Sequence, residues 1–156
     1  MTVDYWHISQ HNDTNMPKIF TIGFSGKSHD AFLDVLNAVR VRTVWDIRLW
    51  RTSIHVPFYS GDSLATALGP RYEYHPEFAP TAEILSGYKD GRITWPDYER
   101  MYRELLTTRN PTAGIASDAL DRICLLCTEK SATQCHRRIA AEYIAEQFPD
   151  VEIIHL

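Results

Sequence analysis

The segment from Cys124 to Arg138 combines three thiols, a carboxylate, an imidazole and two guanidiniums. It reads Cys-Leu-Leu-Cys-Thr-Glu-Lys-Ser-Ala-Thr-Gln-Cys-His-Arg-Arg. The apolar run before Cys127 predicts a buried strand, and the residues from Thr133 predict a helix. Ligands of open α/β sheets bind at the carboxyl ends of the strands, and a helix N-terminus attracts anions. The pattern therefore predicts that the functional site lies at this turn.

The thiols are the first candidates for covalent chemistry. A thiolate at a helix start gains from free N–H groups and from nearby positive charge, so Cys127 or Cys135 could act as a nucleophile. His136 or Glu129 would then carry the proton. The alternative is that each cysteine, Cys124 above all, is a buried free thiol that packs as a small apolar side chain.

The spacing Cys-x2-Cys-x7-Cys-His invites a zinc site, because thiolates and imidazole are the usual zinc ligands. Cys124 and Cys127, however, lie three residues apart in a predicted strand, which directs their side chains to opposite faces. A Cys-x2-Cys zinc knuckle needs a turn at that point. We therefore predict no metal and no cofactor.

Three cationic side chains, His136, Arg137 and Arg138, stand at the predicted helix start. Cations are unfavourable at this end of a helix dipole unless a negative charge compensates them. The pattern indicates a bound anion, with Cys135, His136 and Arg137 as candidate ligands. The alternative is a salt bridge from this group to Glu129 or Asp46.

Two further groups should reach the same edge of the sheet. The turn Gly23-Phe24-Ser25-Gly26 offers N–H groups and a hydroxyl to an anion, or else needs glycine only for a positive φ angle. Asp46 and Arg48 alternate with Trp45 and should share one face of the strand. They form either a catalytic or ligand-binding pair or a partly buried ion pair that positions a loop.

The order of elements predicts the fold class. Strands are expected at residues 18–22, 42–47, 72–75, 123–127 and 151–155, and helices near 28–39, 62–68, 94–107 and 133–148. Alternating strands and helices predict an α/β, Rossmann-like three-layer sandwich with a mostly parallel sheet. We expect residues 1–17 to be an N-terminal extension and residues 18–156 to be a single domain.

Composition narrows the class of protein. The net charge of -4 argues against a protein that coats nucleic acid by charge alone. The odd count of three cysteines and the lack of a signal-peptide pattern favour the reducing cytoplasm. No stretch approaches the ~20 apolar residues of a membrane span, so we expect no membrane partner.

Taken in order, four motifs resemble the family of domain of unknown function 488 (DUF488), namely Thr21–Ser25, Val44–Arg48, Leu125–Glu129 leading to Cys135–Arg137, and Ile153–His155. The resemblance runs from about residue 18 to the end of the chain. It implies a compact α/β domain with a site at these motifs, without a settled activity. The residues it marks are Gly23, Ser25, Asp46, Arg48, Cys127, Glu129, Cys135, His136 and Arg137. Phe24 departs from the family, which commonly has His or Tyr there.

Three functions remain open on the sequence. The first is an enzyme that acts on an anionic substrate such as a nucleotide or nucleic-acid component, with Asp46 or Glu129 handling a proton or Cys127 acting as nucleophile. The second is a non-catalytic nucleotide- or nucleic-acid-binding module that uses the same arginines. In the third, the motif residues form a buried polar network that fixes the strand ends.

Overall fold

Five parallel strands form one sheet in the computed structural model, which describes residues 16–156. The strands are β1 (Lys18–Gly23), β2 (Thr43–Asp46), β3 (Tyr72–Tyr74), β4 (Ile123–Cys127) and β5 (Glu152–His155). Their order across the sheet is β3-β2-β4-β1-β5, with every neighbouring pair parallel. β4 lies at the centre and all five of its residues are buried. The predicted α/β class and parallel sheet are confirmed.

The helices cover both faces of the sheet and complete three layers. They are α1 (His29–Ala38), α2 (Gly61–Leu68), α3 (Ala82–Lys89), α4 (Trp95–Arg109) and α5 (His136–Gln147). Helices α3, α4 and α5 pack on one face in the Trp45 core, whose members include Trp45, Ile84, Tyr102, Leu106 and Ile139. Helices α1 and α2 pack on the other in the Phe32 core, whose members include Phe32, Leu36, Val44, Leu64 and Leu126.

Alternation along the strands assigns each side chain to one core. In β4, Leu125 belongs to the Trp45 core, whereas Cys124 belongs to the Phe32 core. Cys127 is two residues beyond Leu125 and so faces the side of α3, α4 and α5. Cys124 and Cys127 therefore point to opposite faces, as the sequence predicted.

Local sequence signals explain two of the helix starts. The Ser28 hydroxyl accepts a hydrogen bond from the Ala31 N–H (3.2 Å) and caps α1, and Thr94 forms a capping box with Asp97 at α4. α3 was not predicted, and α5 begins at His136 instead of near Thr133, with Cys135 as its N-cap residue. Residues 128–134 are consequently an irregular loop between β4 and α5.

The predicted extension at residues 1–17 lies almost wholly outside the described residues. Pro17, at its end, is tied to the sheet, because its carbonyl accepts the Glu152 N–H at 2.9 Å. Among the described residues, no helix has the length and apolarity that crossing a membrane requires.

Candidate functional site

A cavity of about 870 Å³ opens where β1, β2 and β4 end. Its wall is formed by the residues that follow these three strands, together with side chains from α3 and from the start of α4. Of the nine candidate site residues, six line it: Ser25, Arg48, Cys127, Glu129, Cys135 and His136. Gly23, Asp46 and Arg137 lie behind the wall. The carboxyl ends of the strands thus bring most of the predicted residues to one place.

Cys127 lies at the end of β4, in the wall of this cavity, and is almost fully buried. Burial alone would raise the pKa of the Cys127 thiol. Hydrogen bonds from Cys135 and from the Thr128 and Glu129 N–H groups, with the Arg137 charge, outweigh burial and lower this pKa below the ordinary value. The fold therefore favours a thiolate at Cys127.

His136 is the nearest base to this thiol. Its Nδ1 lies 3.4 Å from the Cys127 Sγ, and its Nε2 lies 2.9 Å from the Ile47 carbonyl oxygen. Because a carbonyl only accepts, Nε2 carries a proton and Nδ1 of the neutral ring is left free to accept one. His136 is thus fixed in the tautomer that can take the Cys127 proton.

Cys135 faces Cys127 from the N-cap of α5. The hydrogen bond to Cys127, followed by burial, raises the pKa of the Cys135 thiol well above its ordinary value. The two cysteines therefore differ in character although they are neighbours. Cys127 has the lowered pKa and Cys135 the raised one, so of the two thiols Cys127 ionises more readily.

Cys127, Cys135 and His136 also have donor atoms within 4.8 Å of one another, close enough to share one metal ion. The opposite directions of Cys124 and Cys127, which spoke against zinc in the sequence, do not apply to these three residues. A guanidinium nitrogen of Arg137 lies 3.5 Å from the Cys135 Sγ and disfavours a divalent cation there by charge repulsion. We therefore interpret Cys127 and Cys135 as free thiols and not as metal ligands.

Arg137 is only 1% exposed and its guanidinium is occupied by the protein itself. It donates to the carbonyl oxygens of Glu129 (2.5 Å) and Lys130 (3.2 Å) and to the Thr21 hydroxyl (3.3 Å). These bonds tie the loop after β4 to β1 and α5. Arg137 therefore acts as a buried clamp on the loop that carries Cys127.

The β1 turn is also committed internally. The Phe24 N–H donates to the Cys127 carbonyl (3.3 Å) and the Ser25 N–H to the Thr128 carbonyl (3.0 Å), so neither is free for an anion. A positive φ occurs at Gly26 (78°), whereas Gly23 is required by close packing against the Glu129 carbonyl. Phe24 and Ser25 line the cavity, and of the two only Ser25 offers it a polar side chain.

Asp46 and Arg48 form the neighbouring pair that alternation predicted. The Arg48 guanidinium donates two hydrogen bonds to the Asp46 carboxylate, at 2.9 and 2.8 Å, and a third to the Tyr59 carbonyl at 2.7 Å. The Tyr72 hydroxyl donates to Asp46 at 2.6 Å, and burial with this bond raises the pKa of Tyr72 to about 12, which keeps it a donor. Asp46 is fully buried and saturated, which suits a loop-positioning ion pair better than proton transfer.

Glu129 is the predicted carboxylate that does reach the cavity, and its side chain is exposed. Three aromatic side chains that were not predicted as site residues line the same cavity, namely Tyr88, Trp95 and Tyr98. They lie on α3 and at the start of α4, and Trp95 stacks on Tyr98 with ring centroids 4.9 Å apart. Their position at the site depends on α3, a helix of eight residues whose short hydrophobic pattern did not predict it.

These features define an all-parallel α/β protein with a cysteine-centred cavity at the carboxyl edge of its sheet. Residues 28–144, most of the chain, match the family described as domain of unknown function DUF488, and the chain belongs to that family. The matched range includes Asp46, Arg48 and the whole segment from Cys127 to Arg137, whereas the β1 motif precedes it. No curated protein and no solved structure matches the chain.

Proposed function

We propose that this protein is an enzyme that binds a flat anionic ligand, such as a nucleotide or a nucleic-acid component, and acts on it through the Cys127 thiolate. The observation that carries the proposal is the placement of Cys127 in the cavity wall, hydrogen-bonded to a His136 ring whose other nitrogen is held by Ile47. A nucleophile, a base and a group that orients the base are the three parts of an activated nucleophile.

The chemistry divides among few groups. The thiol proton of Cys127 passes to Nδ1 of His136, and the thiolate then attacks an electrophilic atom of the ligand while the bond from that atom to the departing group breaks. We assign the exchange of a proton with the departing group to Glu129, whose side chain lines the same cavity. Hydrolysis of a glycosidic bond by two carboxylates is less well supported, because Asp46 is sealed by Arg48 and Tyr72.

The ligand class follows from the remaining wall. Trp50 is 51% exposed and Tyr88 and Trp95 face the same space, which suits stacking on a planar ring. Lys89 and Lys130 add positive charge, with the Lys89 ammonium 5.2 Å from the centre of the Trp50 ring. A nucleotide combines the flat ring and the negative charge that this wall would accept.

A non-catalytic binding module is the weaker alternative. It relied on Arg48 and Arg137 for phosphate contacts, and both guanidiniums are occupied by internal acceptors. It also leaves the pairing of Cys127 with His136 without a purpose.

The test is protection of Cys127 from iodoacetamide by phosphate, nucleosides, nucleotides and short single-stranded oligonucleotides, read by peptide mass spectrometry. We expect a nucleotide to slow alkylation, and Trp50→Ala to weaken that protection roughly tenfold, because stacking on an aromatic side chain contributes about 1–3 kcal/mol per base. Ile54→Ala is the matched control, since Ile54 lies in the same loop, is 81% exposed and does not line the cavity.

Cys127→Ser then separates the two functions. For an enzyme, the variant binds the protecting nucleotide but no longer converts it, as followed by chromatography of the ligand. Conversion by neither protein would favour the binding module, whereas equal conversion by both would contradict the role of Cys127 as the nucleophile. Failure of every nucleotide and oligonucleotide to protect Cys127 would contradict the ligand class.

A further inference from the structure

We propose that Cys135 is a resolving cysteine, which forms a reversible disulfide with Cys127 after a peroxide oxidises Cys127, so that oxidation switches the site off. The inference rests on the proposed function, in that it uses Cys127 as the nucleophile. The inference goes beyond the proposed function because it assigns a role to Cys135 and a form of regulation to the site.

The geometry brings the two sulfur atoms together from different elements. They lie within 4.8 Å of each other, one at the end of β4 and the other at the N-cap of α5. The seven residues between them form a loop without helix or strand, so the sulfurs can close the remaining gap without disrupting a regular element. A loop this short also costs little entropy to close.

The two thiols are unequal, as an attacking and a resolving cysteine must be. Cys127 receives hydrogen bonds from Cys135 and from the backbone, which favour its thiolate, whereas Cys135 keeps its proton. Oxidation follows thiolate character and access, so the peroxide reacts first at Cys127. Both side chains line the cavity, through which a peroxide can reach them.

The reaction balances with one peroxide. The Cys127 thiolate attacks a peroxide oxygen, the O–O bond breaks, and the electron pair leaves on hydroxide or alkoxide, which takes up a proton. The sulfur of Cys135 then loses its proton and attacks the sulfenic sulfur of Cys127, forming the S–S bond and releasing water. Together the sulfurs lose two electrons and the peroxide gains them. Two exchanges with a dithiol restore both thiols.

The disulfide would inactivate the site directly. It removes the nucleophile from the cavity and ends the contact between the Cys127 sulfur and Nδ1 of His136. Cys124 cannot replace Cys135, because it points into the Phe32 core on the opposite face of the sheet. It therefore serves as an internal control.

The experiment treats the full-length protein, reduced and freed of metal by a chelator, with about one equivalent of hydrogen peroxide. Intact mass and mapping of peptides after alkylation follow the three cysteines. We expect the protein to lose two hydrogen atoms, with Cys127 joined to Cys135, and to regain them with dithiothreitol. Cys124→Ser should behave as wild type. In Cys135→Ser, Cys127 should stop at the sulfenic acid, which dimedone traps.

Other outcomes separate this inference from the proposed function. A dimedone adduct at Cys127 in the wild type, with Cys135 still reduced, would overturn the resolving role and leave Cys127 a reactive nucleophile. A disulfide that includes Cys124, or one that joins two molecules, would also overturn it. If Cys127 resists both peroxide and iodoacetamide in the folded protein, the inference and the proposed function fail together.

Discussion

Arg137→Ala should lower the free energy of unfolding by roughly 3 kcal/mol or more, which is typical of substitutions that break a buried hydrogen-bond network. The substitution removes a side chain that is 1% exposed and leaves the Glu129 and Lys130 carbonyls without their donor. Each buried polar group left unpaired costs about 1–3 kcal/mol. Urea unfolding followed by circular dichroism measures the loss.

Arg138→Ala is the control from the next position along α5. Its guanidinium pairs with Glu99 and Glu142 at the surface, where it is 22% exposed, and such pairs contribute about 0–1 kcal/mol. Arg137→Lys should recover only part of the loss, because an ammonium lacks the planar fork that reaches several acceptors at once. If Arg137→Ala instead keeps wild-type stability and loses only ligand binding, Arg137 is an anion ligand and the clamp is wrong.

Gly23→Ala should be comparably damaging, for a steric reason. A Cβ atom at residue 23 would lie 1.5 Å from the Glu129 carbonyl oxygen and 2.7 Å from an Arg137 nitrogen. The end of β1 must then move away from the loop that carries Cys127. Overpacking costs about 1–3 kcal/mol and occasionally more, and backbone is on both sides of this contact, so we expect the upper end or beyond.

Gly87→Ala provides the matched control. Gly87 lies within α3, and a Cβ there would meet Ile93 carbons no closer than 3.5 Å, which is ordinary contact. Alanine is also the better helix former by roughly 1 kcal/mol, so this variant should be as stable as the wild type or more so. Thermal unfolding of both variants decides the matter. Equal melting temperatures would show that the β1 turn and the Cys127 loop are not packed as described.

The fold could be predicted from the sequence because periodicity reports it directly. The continuous apolar run at Ile123–Cys127 is typical of a strand buried on both faces, and it is the central strand. The alternation around Asp46 correctly made Arg48 its neighbour. Ser28 and Thr94 marked two helix starts by their capping chemistry.

The functions of the arginines could not be predicted in the same way. In a sequence, an arginine at a helix start indicates a bound anion. In the structure, Arg137 donates to carbonyl oxygens of the preceding loop. Backbone acceptors have no sequence signature. The bonds of Arg137 to Thr21 and of Arg48 to Asp46 are of the kind that a buried polar network would make, which is one of the three functions left open on the sequence.

The aromatic wall was missed for a different reason. Tyr88 lies on α3, an eight-residue helix whose pattern is too short to stand out from a loop. Trp95 and Tyr98 belonged to a helix that was predicted, yet the surface they face depends on how α4 packs beside α3. Such long-range placement is set by tertiary packing and not by local periodicity.

The measurement that tests the central claim most directly is the rate of iodoacetamide alkylation of each cysteine in the folded protein as a function of pH. The account predicts that Cys127 reacts fastest, with a midpoint below that of an ordinary thiol, because its thiolate is favoured and the thiolate fraction rises through the lowered pKa. Cys124, whose pKa burial raises, should stay unreactive until the protein unfolds. A Cys127 that reacts no faster than Cys124, or only at the pH of an ordinary thiol, would contradict the account.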